Sequence, residues 1–169
     1  MNFLEELTAE WHEYKGFFVR RNIRFGGAAG ESTGGHSGDI DVLAYRPKDN
    51  TLLHVETSSD YDSWEGRRIR FTGKKFTELA MAECVKVVGF TPKVIKRIAI
   101  VSHTRKPAGL KWQTKNGLPI EIIDIPTFIT IILDELRDKK HARQVGISEQ
   151  LPLLRAMHYA VSYGQKLKK

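Results

Sequence analysis

Cysteine is nearly absent. Cys84 stands alone in 169 residues, which excludes an intrachain disulfide and a cysteine zinc cluster. A reducing, cytoplasmic setting is therefore expected. No apolar run reaches the roughly 18 residues of a membrane span. The opening stretch, MNFLEELTAEW, is acidic and amphipathic, unlike a secretory signal. Internal repeats and low-complexity linkers are missing too, and the length suits a single domain over residues 1–169. Negative charge is in deficit: 27 Lys and Arg face 20 Asp and Glu, a net +7. Such an imbalance favours a polyanionic partner, most often nucleic acid, although a basic protein without that role has the same totals.

Hydrophobic residues make up 41% of the chain, enough for a packed core. Phe3, Leu4, Leu7, Trp11 and Tyr14 share one face at helical spacing, which predicts a helix over Asn2 to Tyr14 with Gly16 as its stop. Phe17 to Phe25 (FFVRRNIRF) reads as a strand. Gly26 to Gly38 is glycine-rich and reads as a loop. GDIDVLAY (Gly38 to Tyr45) and TLLHVETS (Thr51 to Ser58) read as two strands joined by the turn RPKDN, a hairpin. The stretch SDYDSWEGRRIRF reads as a loop entering a helix, and a helical pattern runs from Thr72 or Lys74 to Val88. Lys96 to Ser102 and Leu118 to Ile125 are a fourth and a fifth strand. Pro126 opens a helix to Leu136. Ser148 caps a last helix, whose Leu151, Leu154, Met157 and Val161 close the core or form a dimer face. Strands separated by helices in this order give an α/β class: a mixed sheet of about five strands flanked by helices. A helix between the third and fourth strands implies a parallel crossover there.

The chemistry lies in the hairpin. Asp39 and Asp41 point to one face, because side chains alternate along a strand. The turn brings Asp41 near Glu56. Two close carboxylates repel unless a cation separates them. Hard oxygen ligands in that arrangement suit Mg²⁺ or Mn²⁺. Such a metal activates water and neutralises charge on a phosphate. The flanking VLA and LLHV are apolar, and buried strands seldom end in idle carboxylates.

From the first helix through FFVRRNIRF, GDIDVLAY, LLHVETS and KRIAIVS, the layout resembles the PD-(D/E)XK superfamily of restriction-endonuclease-like nucleases, which includes Holliday junction resolvases. The resemblance spans roughly Glu5 to Ser102. It implies a restriction-endonuclease-like core and a Mg²⁺-dependent DNA endonuclease. It makes Asp41 and Glu56 the metal ligands, with the Thr57 carbonyl as a third oxygen. It also implies a first-helix glutamate. Distance to Gly16 selects Glu6, and helical angle selects Glu10, which is preferred. One departure stands out: Glu56, Thr57 and Ser58 put a serine where the family has its lysine. A hydroxyl donates a hydrogen bond but carries no charge. Either a cation comes from Arg67, Arg68, Lys74 or Lys75, with Lys75 chosen here, or the domain binds nucleic acid without cutting it, as a subunit of a larger DNA-processing system. Homodimers are common in the superfamily.

Nucleic-acid contacts are expected from a tract that mixes an aromatic with cations: Trp64, Arg67, Arg68, Arg70 and Lys74. Lys111 lies in a second basic run with His103, Arg105, Lys106, Trp112 and Lys115. His36, in the glycine-rich loop, is a phosphate contact or a general base. Arg20, Arg21 and Arg24 form a third basic group. Cys84 is expected to pack as a small apolar residue.

Overall fold

The computed structural model describes residues 2–26, 38–102, 111–138 and 146–164. Helix α1 (Phe3–Tyr14) starts at a capping box: the Asn2 side chain accepts from the N–H groups of Leu4 and Glu5, and Glu5 reaches back to the Asn2 N–H. Leu4, Leu7 and Trp11 are buried as the pattern predicts, whereas Phe3 is exposed. Gly16 sits at φ +82°, a left-handed value that turns the chain back into the first strand.

The described strands are β1 (Phe18–Phe25), β2 (Gly38–Arg46), β3 (Thr51–Ser58), β4 (Val94–Val101), β5 (Trp112–Gln113) and β6 (Pro119–Asp124). They form one sheet in the order β1-β2-β3-β4-β6-β5. The hairpin is antiparallel, with Val42 opposite Val55 and Arg46 opposite Thr51. Its turn is a short 3₁₀ segment, Pro47–Asp49, closed by Asn50 at φ 52°. Beyond it the sheet is parallel, β3 beside β4 and β4 beside β6. The sheet is thus mixed and flanked by helices, as expected. It has six strands rather than five because β5 is a two-residue strand, too short to leave a periodic signal.

The segment between β3 and β4 differs from its expected form. Ser63 caps helix α2 (Trp64–Arg70) by accepting from the Gly66 N–H. A π-helical turn, Phe71–Lys75, follows directly. Helix α3 (Glu78–Val88) is a separate element, because Thr77 breaks away at extended backbone angles and caps it through the Ala80 N–H. Helices α4 (Ile125–Asp138) and α5 (Pro152–Gly164) complete the described elements. Ser148 lies one turn ahead of α5, where its hydroxyl accepts from Gln150, so this helix begins later than expected. Leu151 and Leu154 are buried in the chain's own core, with Met157 packed against it.

The two sheet faces carry different cores. On one, Val42, Ala44, Leu53, Val55, Ile98 and Ile100 pack under α1, α4 and α5. On the other, Leu43 and Leu52 lie under Ala80 and Cys84 of α3. There too, Ala99 and Val101 cluster with Phe71, Phe76 and Trp112. Alternation assigns Asp41, His54 and Glu56 to this second face. Among the described residues, no helix is long and apolar enough to cross a membrane.

Candidate active site

Extending the hairpin register one step past Val42 and Val55 sets Asp41 opposite Glu56. Both carboxylates reach a single cation, the ammonium of Lys75. Its Nζ lies 3.0 Å from Asp41 Oδ1, 2.9 Å from Glu56 Oε2 and 2.8 Å from Asp39 Oδ1. It also donates to the Asp39 carbonyl at 3.1 Å. The π-helical turn delivers it: Phe71 and Phe76, five residues apart, both bury against the sheet, and Lys75 between them turns to the carboxylates. π-helical turns recur at functional sites.

The remaining oxygens are also held. Thr57 donates to Asp41 Oδ2 twice, from its N–H at 2.7 Å and its hydroxyl at 3.0 Å. Its N–H therefore faces β2, and in an extended strand the carbonyl leaves on the same edge. His54 Nε2 contacts Glu56 Oε1 at 2.7 Å. The imidazole is fully buried, with its ring 4.8 Å from that of Phe76. Burial first, then the positive charges of Arg97 and Lys75, pull His54 down to about 3, so the ring is neutral. Against an ionised Glu56, the neutral ring holds this contact by donating from Nε2. Burial and the charge of Asp41 push Glu56 well above its ordinary value, against the pull of Lys75. Burial works to lower Lys75, but Glu56 and Asp41 outweigh it and the net shift is upward.

Other expected site residues have different places. Glu10 is not in this cluster, and that assignment is corrected. It sits on α1, which packs on the opposite face, and its two oxygens accept from the Leu153 and Leu154 N–H groups at 3.2 and 2.9 Å. It caps α5. The alternative, Glu6, pairs with Arg21 of β1. Ser58 does not stand in for the lysine: it donates to Asp60 and accepts from Arg70. Arg67 is corrected as a nucleic-acid contact. Its side chain is fully buried, bound to Asp60 and to Ser102, so no phosphate can reach it without unfolding α2. Trp64 is half-buried against Trp112 and the Arg67 guanidinium rather than free to stack. Arg68 is exposed and paired with Glu65; Arg70 pairs with Asp60 and Asp62. Lys74 and Lys111 are exposed. His36, His103, Arg105 and Lys106 lie outside the described residues.

Two features escaped sequence reading. His54 lies two residues before Glu56, so alternation alone places both on one face. The Asp60–Arg67–Ser102 clamp links elements far apart in the chain and leaves no local signal.

Asp39, Asp41 and Glu56 are hard oxygen donors around one cationic group, the donor chemistry that Mg²⁺ or Mn²⁺ takes, with the ammonium as the stand-in ion. As placed, among the described residues no group of three His, Cys, Asp or Glu side chains is arranged to hold a metal. The donors fit a metal only if Lys75 withdraws.

No family model matches the chain, and no curated protein matches it. Among solved structures, one described as the crystal structure of a protein of unknown function, AF1548, aligns over 96% of this chain and 98% of its own, at 16% identity and a TM-score of 0.46.

Proposed function

We propose that this chain is a metal-dependent phosphodiester hydrolase acting on DNA, a PD-(D/E)XK-type endonuclease whose lysine has moved from the strand to the π-helical turn. The observation that carries this reading is the convergence of Asp41 and Glu56, from adjacent strands, on one cation, the Lys75 ammonium. Asp41 and Glu56, with Asp39 or the Thr57 carbonyl, would hold Mg²⁺ or Mn²⁺. That ion, when bound, supplies an activated water and charge neutralisation at the phosphate. Thr57 fixes the rotamer of Asp41 through two hydrogen bonds. Neutral His54 fixes Glu56. Lys75, displaced from between the carboxylates, keeps a positive charge beside them and can orient water or the phosphate, the role the resemblance gives to its lysine. Exposed Arg68 of α2, Lys74 of the π-helical turn and Lys111, just before β5, would supply charge for the DNA backbone.

The test is plasmid cleavage with Mg²⁺ or Mn²⁺. Asp41→Ala and Glu56→Ala should each lose roughly a thousandfold of rate, the several kcal/mol a metal contributes. Cleavage that persists in both variants rejects the site.

One observation favours a second reading, a nucleic-acid-binding domain without hydrolysis. The ammonium already occupies the position between the acidic pair that a metal would take. Salt-dependent DNA binding with no metal-dependent cleavage would select it.

A further inference from the structure

A cavity of about 500 Å³ opens on the same sheet face, between the start of α3 and the turn joining β5 to β6. Arg97 of β4 lies in its wall, beside Phe76, Leu79, Met81, Lys115 and Leu118. Elsewhere, Arg21, Arg46, Arg68 and Arg155 each face a carboxylate. Arg97 makes no such pair among the described residues. Burial lowers its pKa, and no carboxylate opposes the shift. A half-buried guanidinium without a counter-charge is unfavourable until something supplies the anion. The apolar wall is unfinished as well. Leu79 is 51% exposed and Leu118 43%, on either side of buried Phe76. Glu78, the carboxylate on this wall, is engaged by the Asn116 side-chain amide.

We propose that this cavity binds a phosphomonoester carrying a flat apolar body, the chemistry of a nucleoside 5′-monophosphate, with the phosphate on Arg97 and the ring between Phe76, Leu79 and Leu118. A guanidinium matches phosphate with two parallel donors. Lys115 adds the second positive charge that a dianion favours. The volume lies in the range of small-ligand sites, roughly 300–1,000 Å³. The ligand is either a free mononucleotide or the 5′-phosphorylated end of a strand. Neither source needs the metal or the carboxylates, so the site stands apart from the nuclease reading.

Calorimetric titration of the full chain in EDTA, where metal-dependent cleavage stops, tests it. The probes are adenosine 5′-monophosphate, adenosine, inorganic phosphate, and a short oligothymidylate with a 5′-phosphate or a 5′-hydroxyl. The mononucleotide or the phosphorylated strand should bind at one site, at least about tenfold tighter than the probes lacking phosphate or ring. Arg97→Gln should weaken that binding about tenfold or more, as expected for hydrogen bonds to a charged group. Leu118→Glu changes a 43% exposed side chain on the turn before β6, and it should weaken binding similarly. Binding of the phosphorylated strand alone assigns the source to a strand end. No binding of either at millimolar concentration overturns the proposal. So does binding that ignores the 5′-phosphate, or that is unchanged in both variants.

Discussion

Glu10 and Glu56 are both fully buried, on opposite faces of one sheet, and their charges are handled differently. Glu10 spends both oxygens on two backbone N–H groups at the start of α5, where the helix dipole also favours a negative charge. Its role is complete within the fold. Glu56 has a neutral imidazole on one oxygen and an ammonium on the other, and shares that ammonium with Asp41 and Asp39. Three carboxylates around one cation leave negative charge in excess. Burial on the α1 face ties an acid to architecture; burial on the α3 face concentrates charge that an added cation could use.

The contrast can be broken at several points. Glu10→Ala should have the largest effect on stability, about 4 kcal/mol, because two buried N–H groups lose their acceptors at roughly 1–3 kcal/mol each. Urea unfolding would show it, and a loss below about 1 kcal/mol would mean that water reaches the α5 terminus. Arg67→Ala should follow, at about 3 kcal/mol, since it strips Asp60 and Ser102 of a buried partner. Arg68→Ala, one residue on, should change stability by less than about 0.5 kcal/mol and, on the proposed reading, lower only DNA affinity. Equal destabilisation by the two would contradict the placement of Arg67.

Lys75→Met sharpens the comparison. Removing the ammonium leaves the carboxylates facing each other, and the partly exposed site should lose about 2 kcal/mol, below the figure for a fully buried pair. Mg²⁺ should then raise the melting temperature of this variant more than that of the parent, by mass action on the folded state. An equal or smaller shift would show that the acids do not hold a divalent ion even when unblocked.

The parent responds only weakly to pH. His54 has a folded pKa of about 3, below its unfolded value, so its contribution is present above pH 6.5 and is lost as pH falls. Glu56 is shifted the other way, so its contribution is present below about pH 4.5 and is lost as pH rises. Between those values the two oppose each other, and the parent should show a shallow profile. Glu56→Gln exposes the His54 slope and should lose about 1.5 kcal/mol between pH 6.5 and pH 5. His54→Gln should slope the other way. Parallel profiles in the two variants would contradict these assignments.

Much of this arrangement was legible beforehand because it follows from alternation and local patterning. The hairpin, the shared face of Asp39 and Asp41, and the approach of Glu56 come from a period of two and one short turn. Lys75 was one of several candidate cations; its selection depends on a π-helical turn set by Phe71 and Phe76 packing under the sheet, a tertiary event. The choice of Glu10 failed for a related reason. Helical angle correctly marked it as buried, but what waits at the buried face is α5, some 140 residues further along the chain. Arg67 misled because a cation in a basic tract looks solvated, and only the return of Ser102 at the end of β4 encloses it.

The lysine from the π-helical turn has one more consequence. Proteins whose acidic centres depend on an external ion often fold only when that ion is supplied. Here the chain brings its own counter-ion on a flexible four-carbon stem. It can hold its acids together in a chelating medium, and on the proposed reading a divalent ion would enter by exchange with that one side chain.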